Sequence, residues 1–321
     1  MGEKLVTVFG GSGFVGRHVV RRLAKDGWRI RVAVRRPADA YFLPPLGDVG
    51  QIAILKCDIR EEGQVGALVA GADAIVNLVG ILRPAGGQSF QAIHAEGAAS
   101  IAVAAAKAGV KRLVHISAIG AAAGAKSRYA RSKAEGEARV RSAFPAATIL
   151  RPSIVFGPED HFFNRFAALM RFARFVFPIF GGGKTKFQPV YVGDVALAVA
   201  TALRSDAALG KTFELGGPVV YSFKDLLQFI ARATQRNPLF IPIPFWMLDL
   251  GALLTGWLPG APITYDQAKL LRADTVVAGP HAGAIGALAD LAIEPTAVEA
   301  VVPSYLWAYR PTGQYAEPRS A

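Results

Sequence analysis

The sequence contains one cysteine, Cys57, among its 321 residues. A single cysteine excludes a disulfide within the chain and is typical of a protein in a reducing compartment. Because Cys57 comes at the end of an apolar stretch, we expect it to be a small core residue. Acidic residues are also scarce: 24 Asp and Glu stand against 36 Lys and Arg, for a net charge of +12. This imbalance favours an anionic partner, such as nucleic acid, anionic lipid or a phosphorylated ligand.

Other absences remove further classes of protein. The chain has no zinc spacing, no aromatic RNA-binding signature and no helix-turn-helix pattern, which argues against nucleic acid as the partner. The histidines show no metal-ligand spacing, so we expect no metal site, and we expect His94 and His115 to be structural. The apolar run Phe245 to Leu258 is too short to span a membrane and suits an interfacial or buried helix. Because the first strand begins by Lys4, we expect no signal or transit peptide.

Short apolar runs rich in β-formers alternate with helical stretches over the first half of the chain. This rhythm predicts an α/β fold: a Rossmann-type doubly wound parallel sheet with a smaller C-terminal lobe. The expected strands are residues 5–9, 28–34, 51–55, 74–78, 112–116 and 147–150, with helices at 14–23 and 93–108. We expect a dinucleotide-binding core over 1–157, a mixed lobe over 158–311 that returns to the core near 188–204, and a tail over 312–321.

The first predicted strand runs into a glycine loop with Gly10, Gly13 and Gly16 spaced three residues apart. In a strand–loop–helix context such a loop lets backbone amides approach a pyrophosphate at the start of a helix, where the helix dipole favours negative charge. The alternative is a glycine-rich turn with no ligand. The residues predicted to hold the cofactor here are Gly10, Gly11, Ser12, Gly13, Phe14, Val15, Gly16 and Arg17.

Two arginines, Arg35 and Arg36, follow the second predicted strand. An acidic residue at this place would bind the ribose 2′-hydroxyl of NAD, whereas arginine accommodates a 2′-phosphate. The pair therefore favours NADPH, with Arg17 able to assist; the alternative is a solvated basic strand end. After the third strand, Asp58 is placed to accept a hydrogen bond from the adenine amino group.

Tyr129 and Lys133 form a Tyr-x-x-x-Lys pattern between the fifth and sixth predicted strands. On a helix, residues four apart share a face. A nearby ammonium lowers the pKa of a phenol, so such a tyrosine can act as a general acid or base beside a nicotinamide.

Taken together, these motifs resemble the extended short-chain dehydrogenase/reductase family. The matching segments are the GGSGFVG loop, Asp58, Asn77, Ser117, Tyr129 with Lys133, and RPSIVFGPED. The resemblance implies that Ile59, Leu78, Val79, Gly80, Pro152 and Ile154 also line the cofactor site, and that Ser117, Tyr129 and Lys133 are catalytic, vestigial or cofactor-positioning.

More narrowly, the chain is similar to an atypical branch whose members are accessory subunits of respiratory complex I. That branch holds NADPH without established turnover, at the junction of the peripheral and membrane arms near the quinone site. The resemblance implies other complex I subunits as partners and a peripheral location on the cytoplasmic face of the bacterial inner membrane, or alternatively the matrix side of the mitochondrial inner membrane.

One departure from the active members bears on turnover. They place a catalytic hydroxyl about two residues beyond the fifth strand, where this chain has Ala118 and Ile119. Loss of such a donor lowers rates by orders of magnitude. We therefore expect a binding role, with a soluble NADP(H)-dependent reductase or epimerase as the alternative and a redox-sensing NADP(H)-binding regulator as a third hypothesis.

Two stretches are rich in aromatic residues, 161–187, where arginines and lysines are interleaved, and 240–262, which is otherwise mostly apolar. Aromatic side chains favour the membrane interface and arginine pairs with phosphate, so both stretches are predicted to meet membrane lipid headgroups. The alternative for 161–187 is an ordinary helix packed on the core.

Overall fold

The computed structural model describes residues 4–173, 175–255, 264–278 and 285–313. Its strands, in chain order, are β1 Leu5–Phe9, β2 Arg29–Val34, β3 Ile52–Lys56, β4 Ala74–Asn77, β5 Arg112–Ile116, β6 Thr148–Pro152, β7 Val155–Phe156, β8 Val176–Phe180, β9 Lys186–Phe187, β10 Val190–Tyr191, β11 Thr212–Leu215, β12 Tyr221–Ser222, β13 Leu239–Ile243 and β14 Ile285–Gly286. Its helices are α1 Phe14–Lys25, α2 Glu62–Val69, α3 Gly97–Lys107, α4 Arg128–Ala143, α5 Phe163–Phe172, α6 Val192–Ala202, α7 Phe223–Ala233, α8 Phe245–Thr255, α9 Tyr265–Leu270, α10 Val298–Val301 and α11 Pro303–Leu306. A π-helical turn, Gln91–Glu96, precedes α3.

Eight parallel strands form one sheet in the order β14-β11-β6-β5-β4-β1-β2-β3. This arrangement confirms the doubly wound α/β fold, and the six predicted strands all lie in it. The chain order reverses between β1 and β4, and in sheets of this kind ligands bind at that point, beyond the carboxyl ends of the strands. Strands β11 and β14 were not predicted, because β14 has only two residues and the polar Thr212 and Glu214 interrupt the apolar run of β11.

Strand β1 lies inside the sheet, between β4 and β2, and is covered on both faces. Val6, Val8 and Phe9 are fully buried, as expected for a continuous apolar run in a parallel sheet. Thr7 is the one polar side chain in the strand, and its hydroxyl donates to the Leu68 carbonyl at 2.8 Å. Cys57 is buried in the same core cluster, which confirms its predicted place.

The chain divides into two compact units. The described part of the first unit comprises residues 4–152, 192–215, 277–278 and 285–294, and it contains the whole eight-stranded sheet. The described part of the second comprises 153–173, 175–191, 216–255, 264–276 and 295–313. Within the first unit, α6 packs against α1.

Phenylalanines fill the core of the second unit. Phe163, Phe166, Phe177 and Phe187 are buried there and meet other rings edge to face or tilted. Most of the aromatic character of 161–187 therefore belongs to a core, which lessens the lipid-facing role predicted for that stretch. Two rings of the stretch remain exposed, Phe172 and Phe175.

Helix α8 follows β13 within the second predicted lipid-facing stretch and is apolar on its exposed side. Trp246, Leu250 and Leu253 are exposed by about half or more of their surface, whereas Leu248 and Ala252 are buried. Residues 256–262 of this stretch, like 314–321 of the predicted tail, lie outside the described residues. No helix in the described part of the chain is both long and apolar enough to cross a bilayer.

Helix α4 approaches the π-helical turn so closely that only glycine fits at the crossing. A Cβ on Gly136 would lie 2.1 Å from the His94 carbonyl oxygen. We expect Gly136→Ala to lower the free energy of unfolding by about 2 kcal/mol through overpacking. The control is Gly66→Ala in α2, where a Cβ meets nothing within 4 Å and should raise stability by up to about 1 kcal/mol. Chemical denaturation of both variants measures the difference; equal effects would contradict the close crossing.

Candidate functional site

The glycine loop between β1 and α1 is shaped by steric requirements at two of its glycines. Gly10 has φ +80°, and a Cβ there would lie 3.1 Å from the backbone of Leu78 and Val79. A Cβ on Gly16 would lie 2.4 Å from the Gly10 carbonyl oxygen. The loop thus closes tightly on β4 and on the first turn of α1, which only residues without side chains permit.

The start of α1 is open to an anion. Gly13 is the N-cap, no side chain caps the helix, and its first turn has no acidic residue. An added Cβ on Gly13 would meet nothing closer than 3.4 Å, so space remains in front of the first amides. Helix-start amides without a side-chain cap bind phosphate well. The neighbouring Ser12, Phe14 and Val15 are partly exposed, and the Arg17 guanidinium lies 4.5 Å from the centre of the Phe42 ring.

Charged groups gather after β2 and β3. Arg35 and Arg36 are exposed, and Arg36 forms an ion pair of 2.7 Å with Asp39. The Asp58 carboxylate is held by Arg60 through two side-chain hydrogen bonds, 2.9 and 2.5 Å long. These bonds, opposed by partial burial and aided by other interactions with Arg60 and by the charge of Arg35, lower the Asp58 pKa to about 2. Asp58 is therefore a fixed anion with part of its accepting capacity already used.

Ile59, which follows Asp58, packs in the core. Its side chain lies so close to α3 that a Cβ on Gly97 would meet it at 2.4 Å. Only the backbone of Ile59 is thus left to face a ligand at the strand end.

Hydrogen-bonded polar side chains lie at the end of β4. The Asn77 side-chain oxygen accepts from the Val79 amide at 3.1 Å, which leaves its amino group to donate to His115 Nδ1, also at 3.1 Å. His115 is then a neutral ring with its proton on Nε2, a buried atom with no partner among the described residues. The Leu78 amide donates to the Phe9 carbonyl, which extends the β1–β4 ladder by one residue.

Helix α4 brings Tyr129 and Lys133 to the ends of β4 and β5. The Lys133 ammonium is buried and donates to the Ile116 carbonyl at 3.1 Å. A Cβ on Gly80 would lie only 3.3 Å from Lys133 Nζ, so Gly80 leaves room for the ammonium. Ser117 is buried directly after β5, and its hydroxyl has no partner within the described parts of the chain.

His94 belongs to this cluster, although its sequence position predicted a structural role only. Its Nε2 accepts from the Ile81 amide at 3.0 Å, and its Nδ1 lies 2.8 Å from the Ser132 hydroxyl, which itself donates to the Tyr129 carbonyl. The ring also meets the Tyr129 ring edge to face at 5.3 Å. The signal available in the sequence was a polar residue at the start of an Ala-rich helix, which is too general to identify a site.

Burial sets the protonation of the whole cluster. It lowers the Lys133 pKa to about 8 and raises the Tyr129 pKa to about 12. The expected lowering of the phenol pKa by Lys133 is therefore wrong, because desolvation of the phenolate dominates. Burial, with the Lys133 charge, also lowers the pKa of His94 and of His115 to about 3. At neutral pH the cluster holds one cation, a phenol and two neutral imidazoles.

The remaining predicted residues fall in different units. The Pro152 carbonyl, at the end of β6, accepts from the Ile119 amide at 3.1 Å and ties down the segment after Ser117. Ile154 belongs to the second unit. In the first unit, the glycine cradle, the helix start without a side-chain cap and the buried Ser117 hydroxyl together fit a dinucleotide whose phosphates lie at α1.

Comparison with known proteins supports this assignment. Residues 6–216 match the sequence model of the NAD dependent epimerase/dehydratase family. The chain is 36% identical over 285 residues to the Arabidopsis thaliana protein "NADH dehydrogenase (ubiquinone) 1 alpha subcomplex subunit 9, mitochondrial", covering 85% of this chain and 71% of that one. It is also 36% identical over 274 residues to a ceramide reductase from Caulobacter vibrioides, covering 83% and 82%.

Among solved structures, an NADPH-dependent quinone oxidoreductase from Escherichia coli complexed with NADPH superposes with a TM-score of 0.72. The alignment covers 94% of this chain and 99% of that one, at 18% identity. An identity this low shows the shared fold alone.

The two buried imidazoles predict a loss of stability in acid. The unfolded rings take up protons near their ordinary pKa of 6.5, whereas the folded rings stay neutral down to about 3. The unfolded chain therefore binds more protons in this window, and the free energy of unfolding falls as the pH falls. For His115→Gln we expect the drop between about pH 7 and about pH 5 to be smaller by about 2 kcal/mol. His161→Gln, at an exposed histidine, is the control; unchanged slopes in both variants, measured by denaturation at each pH, would refute the assignment.

Proposed function

Because the chain belongs to the NAD dependent epimerase/dehydratase family, we propose that it binds NADPH tightly and serves as an accessory subunit of respiratory complex I. The observation that carries the dinucleotide site is the glycine cradle at a helix start without a side-chain cap. The name of the Arabidopsis relative, a subunit of NADH dehydrogenase (ubiquinone), supports the assembly into which the chain would enter.

The preference for NADPH rests on the charges at the end of β2. Arg35 is exposed, and its positive charge contributes to the low pKa of Asp58. Its charge therefore acts on groups at the carboxyl ends of these strands. A guanidinium pairs strongly with a phosphate. Arg36 is shared with Asp39, which makes Arg35 the principal partner of a 2′-phosphate and Arg36 a helper.

The proposed role is structural rather than catalytic. Bound NADPH would supply a hydride donor, but Ala118 and Ile119 offer no hydroxyl beyond Ser117 to polarise a carbonyl. Binding alone has an effect: a ligand at about 100 times its dissociation constant stabilises the folded state by about 2.7 kcal/mol. The folded chain would then brace the junction of the two arms near the quinone site.

We place contact with the assembly on the exposed side of α8. Trp246, Met247, Leu250 and Leu253 there form an apolar face larger than isolated surface residues require. Such a face suits other complex I subunits and the lipid headgroups beside them. This gives a peripheral position on the cytoplasmic face of a bacterial inner membrane, or on the matrix side in a mitochondrion.

A second candidate function is an NADP(H)-dependent reductase. It is favoured by Tyr129, which is protonated at neutral pH and lies one helical turn before the buried Lys133 on α4, because such a phenol can donate a proton to a carbonyl oxygen. The ceramide reductase of Caulobacter vibrioides points to a lipid as the substrate class.

The cofactor preference has a direct test. We expect denaturation of the purified protein to release NADPH, identified by mass spectrometry, and Arg35→Glu to lower the affinity ratio of NADPH to NADH by at least about tenfold. Arg29→Glu, an exposed arginine at the start of β2, is the matched control and should leave the ratio unchanged. Release of NAD(H) as the main species would overturn the argument from the arginine pair.

Two variants separate binding from turnover. Tyr129→Phe removes the proton donor, whereas Gly13→Asp places a carboxylate at the N-cap, where it satisfies the helix amides and repels a pyrophosphate. In cells that carry each variant in place of the wild type, we expect assembled complex I to stay near normal with Tyr129→Phe and to fall severalfold with Gly13→Asp. Native gel electrophoresis and NADH:quinone activity measure this.

The opposite pattern would favour the reductase. If Tyr129→Phe abolished NADPH oxidation by the purified protein with a carbonyl-bearing lipid, while complex I assembled normally without the chain, the accessory role would be wrong.

A further inference from the structure

The second unit contains a groove with a volume of about 530 Å³. None of the residues that line it belongs to a predicted cofactor-binding motif. A volume of this size is in the range that holds a small ligand. The groove is lined by Ile179, Gly182, Lys224, Gln228, Asn237, Pro238, Leu239, Phe240 and Pro242. All of these residues belong to the second unit.

Three consecutive glycines keep one side of the groove open. Gly181, Gly182 and Gly183 all have positive φ, between 58° and 70°, which side-chain-bearing residues rarely adopt. A Cβ on Gly181 would lie 2.0 Å from the Phe245 ring, and one on Gly183 would lie 2.7 Å from Lys224 Cβ. The turn is therefore wedged between α8 and the start of α7, and it exposes bare backbone at Gly182, which lines the groove.

One end of the groove is polar and carries a positive charge. Lys224 and Gln228 lie four residues apart on α7 and therefore share a face. Asn237, exposed, adds a side-chain amide. The acid next to Lys224 in the chain, Asp225, is engaged elsewhere: it accepts from the Ser222 amide at 3.0 Å and from the Ser222 hydroxyl at 2.7 Å. Among the described residues that line the groove, Lys224 is the one that carries a charge.

The rest of the groove is apolar. Strand β13 supplies Leu239, Phe240 and Pro242, and it pairs in parallel with β8, which supplies Ile179. Leu239 is 66% exposed and therefore accessible to a ligand in the groove. Phe240 is anchored from beneath by an edge-to-face contact of 6.2 Å with Phe177. The apolar part therefore presents a firm hydrocarbon surface beside a single ammonium.

We propose that this groove binds one molecule of an anionic lipid, with the headgroup phosphate at Lys224, Gln228 and Asn237 and an alkyl chain along Leu239, Phe240 and Pro242. Charge complementarity at Lys224 selects an anionic over a zwitterionic headgroup. Burial of alkyl surface on the β13 side selects a lipid over free phosphate. This site is separate from the dinucleotide site and from the exposed face of α8.

The test uses the full-length protein and short-chain lipids that stay monomeric in solution. Binding of dihexanoyl phosphatidylglycerol, dihexanoyl phosphatidylcholine and inorganic phosphate is measured by calorimetry. We expect phosphatidylglycerol to bind at least about tenfold more tightly than either of the others. Equal affinity for phosphatidylcholine would overturn the headgroup assignment, and equal affinity for inorganic phosphate would overturn the role of the alkyl chain.

Matched variants locate the site. Lys224→Gln should weaken phosphatidylglycerol binding about tenfold, whereas Lys186→Gln, at another exposed lysine of the second unit, should not. Leu239→Asp should abolish binding, whereas Leu253→Asp should leave it intact, because both leucines are about equally exposed and only Leu239 lines the groove. Loss of binding with Leu253→Asp, or retention with Leu239→Asp in a protein of unchanged melting temperature, would place the lipid elsewhere and refute the proposal.

Discussion

The candidate site depends on the close crossing of helix α4 with the π-helical turn. Because Gly136 has no side chain, the helix comes within van der Waals contact of the His94 carbonyl. This proximity lets Ser132 link His94 to the backbone of Tyr129, and it carries Lys133 across to the Ile116 carbonyl. The His94, Ser132 and Lys133 side chains are therefore held in place through this close crossing. π-helical turns of this kind are frequent at functional sites, where they direct a side chain that a regular helix would direct elsewhere.

The second organising feature is the distribution of charge around Lys133. Its ammonium lies near two imidazoles that burial already keeps neutral, and its charge lowers their pKa further. Burial lowers the pKa of Lys133, and the negative charge of Glu137, one turn further along α4, partly offsets this lowering. Glu137 in turn is held by Arg151 through two hydrogen bonds of 2.8 and 2.6 Å, which tie α4 to β6. The Glu137–Arg151 ion pair therefore holds the carboxylate that favours the charged form of Lys133, and it also fixes α4 on the sheet.

The sequence was sufficient for six of the eight sheet strands and for the glycine loop, because these depend on local patterns. Apolar runs placed the six strands correctly, and the loop glycines lie where steric contacts with Leu78 and Gly11 require them. The site chemistry depended on distant contacts and was harder to predict. His94 joins Tyr129 only through the π-helical turn, and the pKa of Tyr129 rises because burial outweighs the expected influence of Lys133. The aromatic stretch after His161 looked interfacial, yet most of its rings form a core, because composition does not reveal which face of a helix is covered.

Binding and turnover are separable in this fold, which bears on its function. The phosphate-binding part uses only backbone amides at α1 and the absence of side chains in the loop, and it requires nothing from Tyr129 or Lys133. A chain can therefore lose catalytic polarity after Ser117 and keep full affinity for a dinucleotide. What remains at Lys133 is an ammonium hydrogen-bonded to a strand-end carbonyl, a group as suited to holding a ribose as to promoting proton transfer. The cluster around Lys133 thus fits a cofactor used as a structural ligand, and the glycine loop by itself points to binding rather than to a reaction.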